Sequence, residues 1–168
     1  TEFKKSTSEL KEGMESIASI LNKHGEGTLY FGVGPDGEVR GQDVSETTLR
    51  KISQAIGNSI DPAIYPIVAH EKTPDGKDYV KVAFSGNDGP YACNGKFRMR
   101  VADEDVLMSP RELRLSFRDS ESRLNPWDSR VSAKTTKDVD EPTLQRFVER
   151  GREKGRIRFE YAGVRDAL

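Results

Sequence analysis

The sequence contains very little cysteine and histidine, with one cysteine, Cys93, and two histidines in 168 residues. A single cysteine cannot form a disulfide within the chain and favours a reducing, cytoplasmic setting. The common structural zinc sites need four Cys or His ligands, so the sequence excludes them. Its apolar runs of four or five residues are far shorter than the roughly 18 that a membrane-spanning helix requires. We therefore expect no membrane segment and no structural zinc ion.

The charge of the chain is nearly balanced but unevenly distributed. Charged residues make up 33% of the sequence and the net charge is −1. Residues 1–121 carry a net charge of −4, whereas residues 122–168 carry +3. This is not the uniformly basic profile of a strong non-specific nucleic-acid binder, so any such binding must come from a local patch.

Apolar periodicity and turn residues predict an α+β fold. Capping boxes mark the helix starts, and Gly, Pro and Asn turns bound the strands. Helices are predicted over about 7–24, 45–58, 110–119 and 141–154, and strands over 28–33, 38–41, 64–72, 78–84, 90–93 and 96–101. We expect a compact domain over residues 1–121 with a mixed or antiparallel sheet and two to three packed helices.

The C-terminal region, residues 122–168, is predicted to be an extended arm followed by a helix. Residues 122–139 lack apolar periodicity but contain Leu124 and Trp127, the only tryptophan, as anchors. The helix from Glu141 to Lys154 is expected to turn Leu144, Phe147 and Val148 inward. Because the chain does not begin with methionine, we expect it to be part of a longer protein.

Residues 32–37 match the letters of the dinucleotide-binding motif G-x-G-x-x-G. That motif needs a helix directly after it, whose N-terminus holds the pyrophosphate. Here Pro35 lies within the turn and a short β-like segment follows. The pattern therefore favours a tight hairpin over a nucleotide site.

Residues 96–101 alternate between cationic and apolar side chains. On a strand, Lys96, Arg98 and Arg100 share one face at intervals of about 7 Å, which suits a phosphate backbone. Two alternatives remain open: a solvated strand face, or cations neutralised by the acidic residues 103–105. Tyr91, beside this strand, is a candidate for stacking on a base, although core packing is its commoner role.

Several short segments occur in a characteristic order along the chain. They are Glu2-Phe3-Lys4, Asn22, Gly25, Gly27, Leu29-Tyr30-Phe31-Gly32-Val33, Asp36-Gly37, Gly41, Pro62, Pro90-Tyr91, Gly95 and Arg98-Met99-Arg100-Val101. This order resembles the Alba-like domain of the Schlafen family over about residues 1–118. The resemblance implies a compact α+β domain that binds nucleic acid, and bacterial relatives are described as divergent-AAA transcriptional regulators or ATP-binding proteins.

The resemblance also implies an alternative, because eukaryotic members of the family include metal-dependent ribonucleases. Glu2 matches the second glutamate of their acidic site, and the aspartate position falls on Pro35 or Asp36. Under this alternative, Glu2 and Asp36 are the catalytic candidates and Mg²⁺ or Mn²⁺ is the cofactor.

We take as the first hypothesis a non-catalytic, nucleic-acid-binding regulatory module without a cofactor. Its binding is expected to be weak and salt-dependent, and a homodimer is an expected assembly. The candidate binding residues are Lys4, Tyr91, Lys96, Arg98 and Arg100. The alternatives are the metal-dependent ribonuclease, an ATP-sensing domain and a structural or oligomerising module.

Overall fold

One helix of this protein contacts the strands of two separate β-sheets. The structure is a computed structural model that describes residues 1–124 and 135–163. It divides into two units, Thr1–Leu124 and Asn125–Leu168. The first unit contains, in chain order, β1 (Glu2–Lys4), α1 (Leu10–His24), β2 (Glu26–Phe31), α2 (Glu46–Ser59), β3 (Ile60–Asp61), β4 (Ile67–Lys72), β5 (Asp78–Ser85), β6 (Ala92–Cys93), β7 (Lys96–Val101), β8 (Glu104–Leu107) and α3 (Pro110–Leu124). The α+β prediction is confirmed.

The helix α1 begins after a short 3₁₀ turn and ends at a glycine. The Ser6 hydroxyl accepts a hydrogen bond from the Ser8 N–H, and the Glu9 carboxylate accepts one from the Lys5 N–H. Gly25 adopts a φ of +75° and donates its N–H to the Leu21 carbonyl at 2.9 Å. This left-handed cap satisfies a terminal carbonyl of the helix, and the predicted stop is confirmed.

The first sheet has the strand order β1-β2-β5-β4. β1 runs parallel to β2, while β2–β5 and β5–β4 are antiparallel, so the sheet is mixed. Its alternating apolar residues form the core with α1 and α2. The buried core residues of β2 and β5 are Leu29, Phe31, Val80, Val82 and Phe84.

The second sheet is antiparallel, in the order β3-β6-β7-β8. Asn94 and Gly95 connect β6 to β7 with φ values of +49° and +72°. Both residues therefore lie in the left-handed region that a type I′ turn requires, as predicted. Strand β8 was not predicted; it places Asp105 directly opposite Arg100.

The glycine-rich segment 32–37 is a hairpin connection. The Gly34 N–H donates to the Glu38 carbonyl at 2.8 Å, and Val33 pairs with Val39 in a single antiparallel bridge. The next helix begins only at Glu46. The hairpin prediction is confirmed, although the returning strand is reduced to that one bridge.

Helix α3 begins where predicted but continues further. Ser109 and Glu112 form the expected capping box, with the Ser109 N–H donating to the Glu112 carboxylate at 2.7 Å. The predicted end near Asp119 is wrong, because the helix continues to Leu124. Residues 122–124 are therefore helical rather than extended. The rest of the predicted arm up to residue 134, including Trp127, lies outside the described residues.

The second unit contains a 3₁₀ turn, Thr136–Asp138, and the helix α4, Glu141–Glu153. The 3₁₀ turn lies where the predicted arm was expected to be extended, so the prediction is wrong there, because Thr135 and Asp138 form a capping box. Val148 is buried as predicted, but Phe147 is 67% exposed, so its predicted inward orientation is wrong. No helix in the described parts of the chain is long and apolar enough to cross a membrane.

Candidate nucleic-acid interface

The alternation along β7 is as predicted, but its cationic side does not face solvent. Arg98 pairs with Glu15 on α1 and Arg100 pairs with Glu2 on β1, and the two arginine side chains are only 13% and 11% exposed. Lys96, at the start of the strand, is the exposed cation of the three. The expectation of one open cationic face is therefore wrong, because α1 packs across the middle of β7.

Arg100 is the centre of an ion-pair network that joins both sheets to α1. Its guanidinium contacts Glu2 Oε2 at 2.5 Å and Asp105 Oδ1 at 2.7 Å. The second oxygen of Glu2 pairs with Lys4 Nζ at 2.9 Å. The second oxygen of Asp105 accepts a hydrogen bond from the Ser16 hydroxyl at 2.7 Å. Neutralisation by an acidic residue of segment 103–105, one of the open alternatives, is confirmed for Arg100.

This network changes the titration of its members. Burial alone would raise the pKa of Asp105, but hydrogen bonds from Ser16 and Arg100 outweigh it and hold that pKa below its ordinary value. Burial alone would lower the pKa of Arg100, but Asp105 and Glu2 together raise it. Asp105 and Arg100 are therefore both held in their charged forms.

Arg98 and Tyr91 are also occupied by contacts within the domain. Arg98 pairs with Glu15 on α1 at 3.2 Å. The Asn22 side-chain amide donates to the Tyr91 and Arg98 carbonyls at 2.8 and 2.7 Å. Tyr91 is 2% exposed, and its hydroxyl accepts a hydrogen bond from the Asp88 N–H at 3.0 Å. The commoner role weighed for Tyr91, core packing, is therefore the one observed.

The two acidic candidates do not form a metal site. Both oxygens of Glu2 are held by cations, as described above, and Asp36 is an exposed turn residue paired with Arg40. A hydrogen bond from the Glu38 N–H is the main cause that lowers the pKa of Asp36. No three described residues of the types His, Cys, Asp and Glu lie together as metal ligands. This donor set does not fit Mg²⁺ or Mn²⁺.

An exposed basic face on α3 was missed in the sequence. Arg111, Arg114 and Arg118 lie at i, i+3 and i+7 and are all exposed, so they share one side of the helix. The partly buried Leu113, on another side of α3, marks the packed face. Arg111 and Arg114 have no ion pair or hydrogen bond within the described residues. Their helical spacing was the signal that could have identified them.

By its architecture, the first unit is a small α+β domain in which the helix α1 packs on one mixed sheet and one antiparallel sheet. A model of the family described as "Schlafen, AlbA_2" matches residues 1–109. The chain belongs to the Schlafen AlbA_2 family, as the resemblance predicted.

Comparison with solved structures supports the fold alone. The chain is similar to the crystal structure of the DIP2311 protein from Corynebacterium diphtheriae, with a TM-score of 0.56 and 18% identity. The similarity covers 89% of this chain but only 26% of that protein, so the chain spans about a quarter of its length. None of the curated proteins matches this sequence.

Proposed function

We propose that the first unit binds nucleic acid as a regulatory module in the control of transcription and does not cleave it. The observation that carries the proposal is a pair of exposed arginines on the outward face of α3, Arg111 and Arg114, which have no partner among the residues that the structure describes. Arginine offers a planar set of donors that matches phosphate oxygens. Membership in the Schlafen AlbA_2 family supports the same function.

The charge balance of the domain makes this binding weak. Residues 1–121 carry a net charge of −4, which opposes the approach of a polyanion except at a local basic surface. We expect a dissociation constant of roughly 10⁻⁴ to 10⁻⁶ M at physiological salt, the range of non-specific contacts. Lys96 adds an exposed cation, whereas Lys4, Arg98 and Arg100 must first exchange their carboxylate partners for phosphate.

A salt titration on one labelled oligonucleotide tests the proposal. Arg111→Ala/Arg114→Ala should weaken binding evenly across sequences and reduce the slope of log K against log salt by about 1.5 units, because two phosphate contacts are lost. Arg50→Ala/Lys51→Ala is the matched control, since it removes two exposed cations from α2. Equal slopes for the wild type and the α3 variant would contradict the proposal.

The same assay separates the alternatives. Under the strand-based prediction, Arg98→Ala/Arg100→Ala should reduce the slope by about two units, which requires the ion-pair network to open on binding. Cleavage of labelled RNA in Mg²⁺ or Mn²⁺, abolished by Glu2→Gln, would favour the ribonuclease instead. Saturable binding of ATP measured by calorimetry would favour the nucleotide sensor.

A further inference from the structure

The first sheet has two unlike faces. Residues of β2 and β5 that point toward α1, such as Leu29, Phe31 and Val82, are buried. Residues that point the other way, such as Tyr30, Tyr79 and Lys81, all remain partly exposed. We call this second side the outer face. Because successive side chains of a strand alternate between faces, the outer face is a continuous surface across β1, β2 and β5.

Three aromatic side chains form a row across this outer face. Phe3 on β1 is directly opposite Tyr30 on β2, and their ring centroids are 5.6 Å apart. Tyr30 in turn lies 6.2 Å from Tyr79 on β5. The rings are tilted by 31° and 41° to one another rather than stacked face to face. The row therefore presents three partly exposed rings on three adjacent strands.

Polar groups accompany the rings. Lys81 is opposite Tyr30 and two residues along β5 from Tyr79. Neither the Lys81 ammonium nor the hydroxyls of Tyr30 and Tyr79 have a hydrogen-bond partner within the described residues. Glu71 on β4, directly opposite Tyr79, adds a carboxylate beside the row. The row thus combines ring surface with one cation, one carboxylate and two hydroxyls, instead of forming a purely apolar patch.

We propose that the outer face binds single-stranded nucleic acid, with bases stacked on Phe3, Tyr30 and Tyr79 and a phosphate held by Lys81. This inference rests on the proposed function and adds to it the type of strand and the position of the bases. Aromatic rings on open sheets bind unpaired bases because every base has a π-face, and this stacking tolerates different sequences. Lys81 supplies the charge that complements the backbone between them.

Duplex nucleic acid does not fit this row, because its bases are already stacked inside the helix and their faces are not accessible. A second copy of the chain is the competing occupant, because Glu71 on β4 lies opposite Tyr79 on this face and could pair with the Lys81 of another copy. Sedimentation of the variants separates that occupant from a nucleic acid. The alternative is a purely structural role, in which the rings only stabilise the sheet as cross-strand pairs. Removing the rings while keeping apolar side chains separates that alternative from base stacking.

The experiment compares variants of the full chain on a fluorescent single-stranded oligonucleotide and on the matching duplex. Tyr30→Leu/Tyr79→Leu should weaken single-strand binding by about tenfold or more, because stacking is worth about 1–3 kcal/mol per base. Tyr30→Phe/Tyr79→Phe keeps both rings and should bind within about twofold of the wild type. Phe147→Leu, at an exposed aromatic residue of α4, is the matched control and should have no effect.

The salt slope distinguishes this inference from the proposed function. The Leu variant should lose affinity with an unchanged slope, because no phosphate contact is removed. If the wild type binds but the Leu variant binds equally well, the outer face is not the site and only this inference fails. If the wild type binds no oligonucleotide, the proposed function and this inference both fail. Loss of a dimer in the Leu variant, seen by sedimentation, would assign the face to a second copy and overturn the inference.

A measurement on the wild type removes any dependence on how the variants fold. An oligonucleotide carrying 5-iodouracil, cross-linked by light, should attach to peptides that contain Tyr30 or Tyr79. Cross-links confined to peptides of α3 or β7 would overturn the assignment of bases to the outer face.

Discussion

The two sides of helix α1 are held against their sheets by different types of interaction. Toward the first sheet, α1 presents Gly13, where an added Cβ would lie 2.9 Å from Phe31 Cζ, and apolar residues such as Ile20. Toward the second sheet it presents Glu15 and Ser16, which bind Arg98 and Asp105. One side is held by close apolar contact and the other by charge-assisted hydrogen bonds.

Stability and specificity come from different sides of α1. Apolar burial is non-directional and roughly proportional to the area removed from water, so the first interface supplies most of the free energy. The attraction within a buried ion pair roughly offsets the cost of removing both charges from water, so the pair adds little net free energy of folding. They do disfavour other packings of α1 against the second sheet, because each such packing would leave a mostly buried charge without a partner.

The largest expected effect comes from breaking the apolar side. Phe31→Ala removes a fully buried ring between β2 and α1, and we expect the free energy of unfolding to fall by about 3–5 kcal/mol. Urea unfolding followed by circular dichroism measures it. Ile67→Ala, at a 72% exposed position of the same sheet, is the control and should change stability by less than about 0.5 kcal/mol. Similar losses for both variants would contradict the assigned core.

A smaller loss should follow from breaking the polar side. Arg100→Met leaves Glu2 and Asp105 mostly buried without their shared cation. Because Glu2 keeps its pair with Lys4, we expect a loss of about 3 kcal/mol, the low end for a broken buried pair. Lys96→Met, at the exposed end of the same strand, should cost almost nothing.

A combined variant tests whether the ion-pair network contributes net free energy. Arg100→Met/Glu2→Gln/Asp105→Asn removes all three charges together and should recover much of the lost stability. If the triple variant is less stable than Arg100→Met alone, the network contributes net free energy and our account of the polar side is wrong.

The smallest effect is the pH dependence of the polar side. The folded pKa of Asp105 lies below its ordinary value of 3.8, so its stabilising contribution is fully present above that value and is lost as pH falls below it. We expect the stability difference between the wild type and Asp105→Asn to be constant from pH 7 to about pH 5 and to shrink by pH 3. An equal difference at pH 7 and pH 3 would show that Asp105 does not titrate as described.

Features set by neighbouring residues could be predicted from the sequence, whereas contacts between distant segments could not. The helix α1 and the Asn94-Gly95 turn follow from periodicity and left-handed backbone preferences within a few residues, and both were predicted. The three-residue strand β1 is too short for an alternating pattern and was missed. The end of α3 was missed because its last turns contain few apolar residues. The pairing of Arg98 with Glu15 depends on which helix packs over β7, and no local pattern encodes that choice.

The contact between Glu2 and Arg100 joins residues 98 positions apart in the chain. Closing a flexible loop of that length costs on the order of 4 kcal/mol in chain entropy before the contact contributes anything. The entropy cost of this contact is smaller once helices and hairpins between the two residues have formed, because they shorten the flexible path between them. During synthesis, Glu2 leaves the ribosome about a hundred residues before Arg100 does. We therefore expect the network to form late in folding, after the local helices and hairpins.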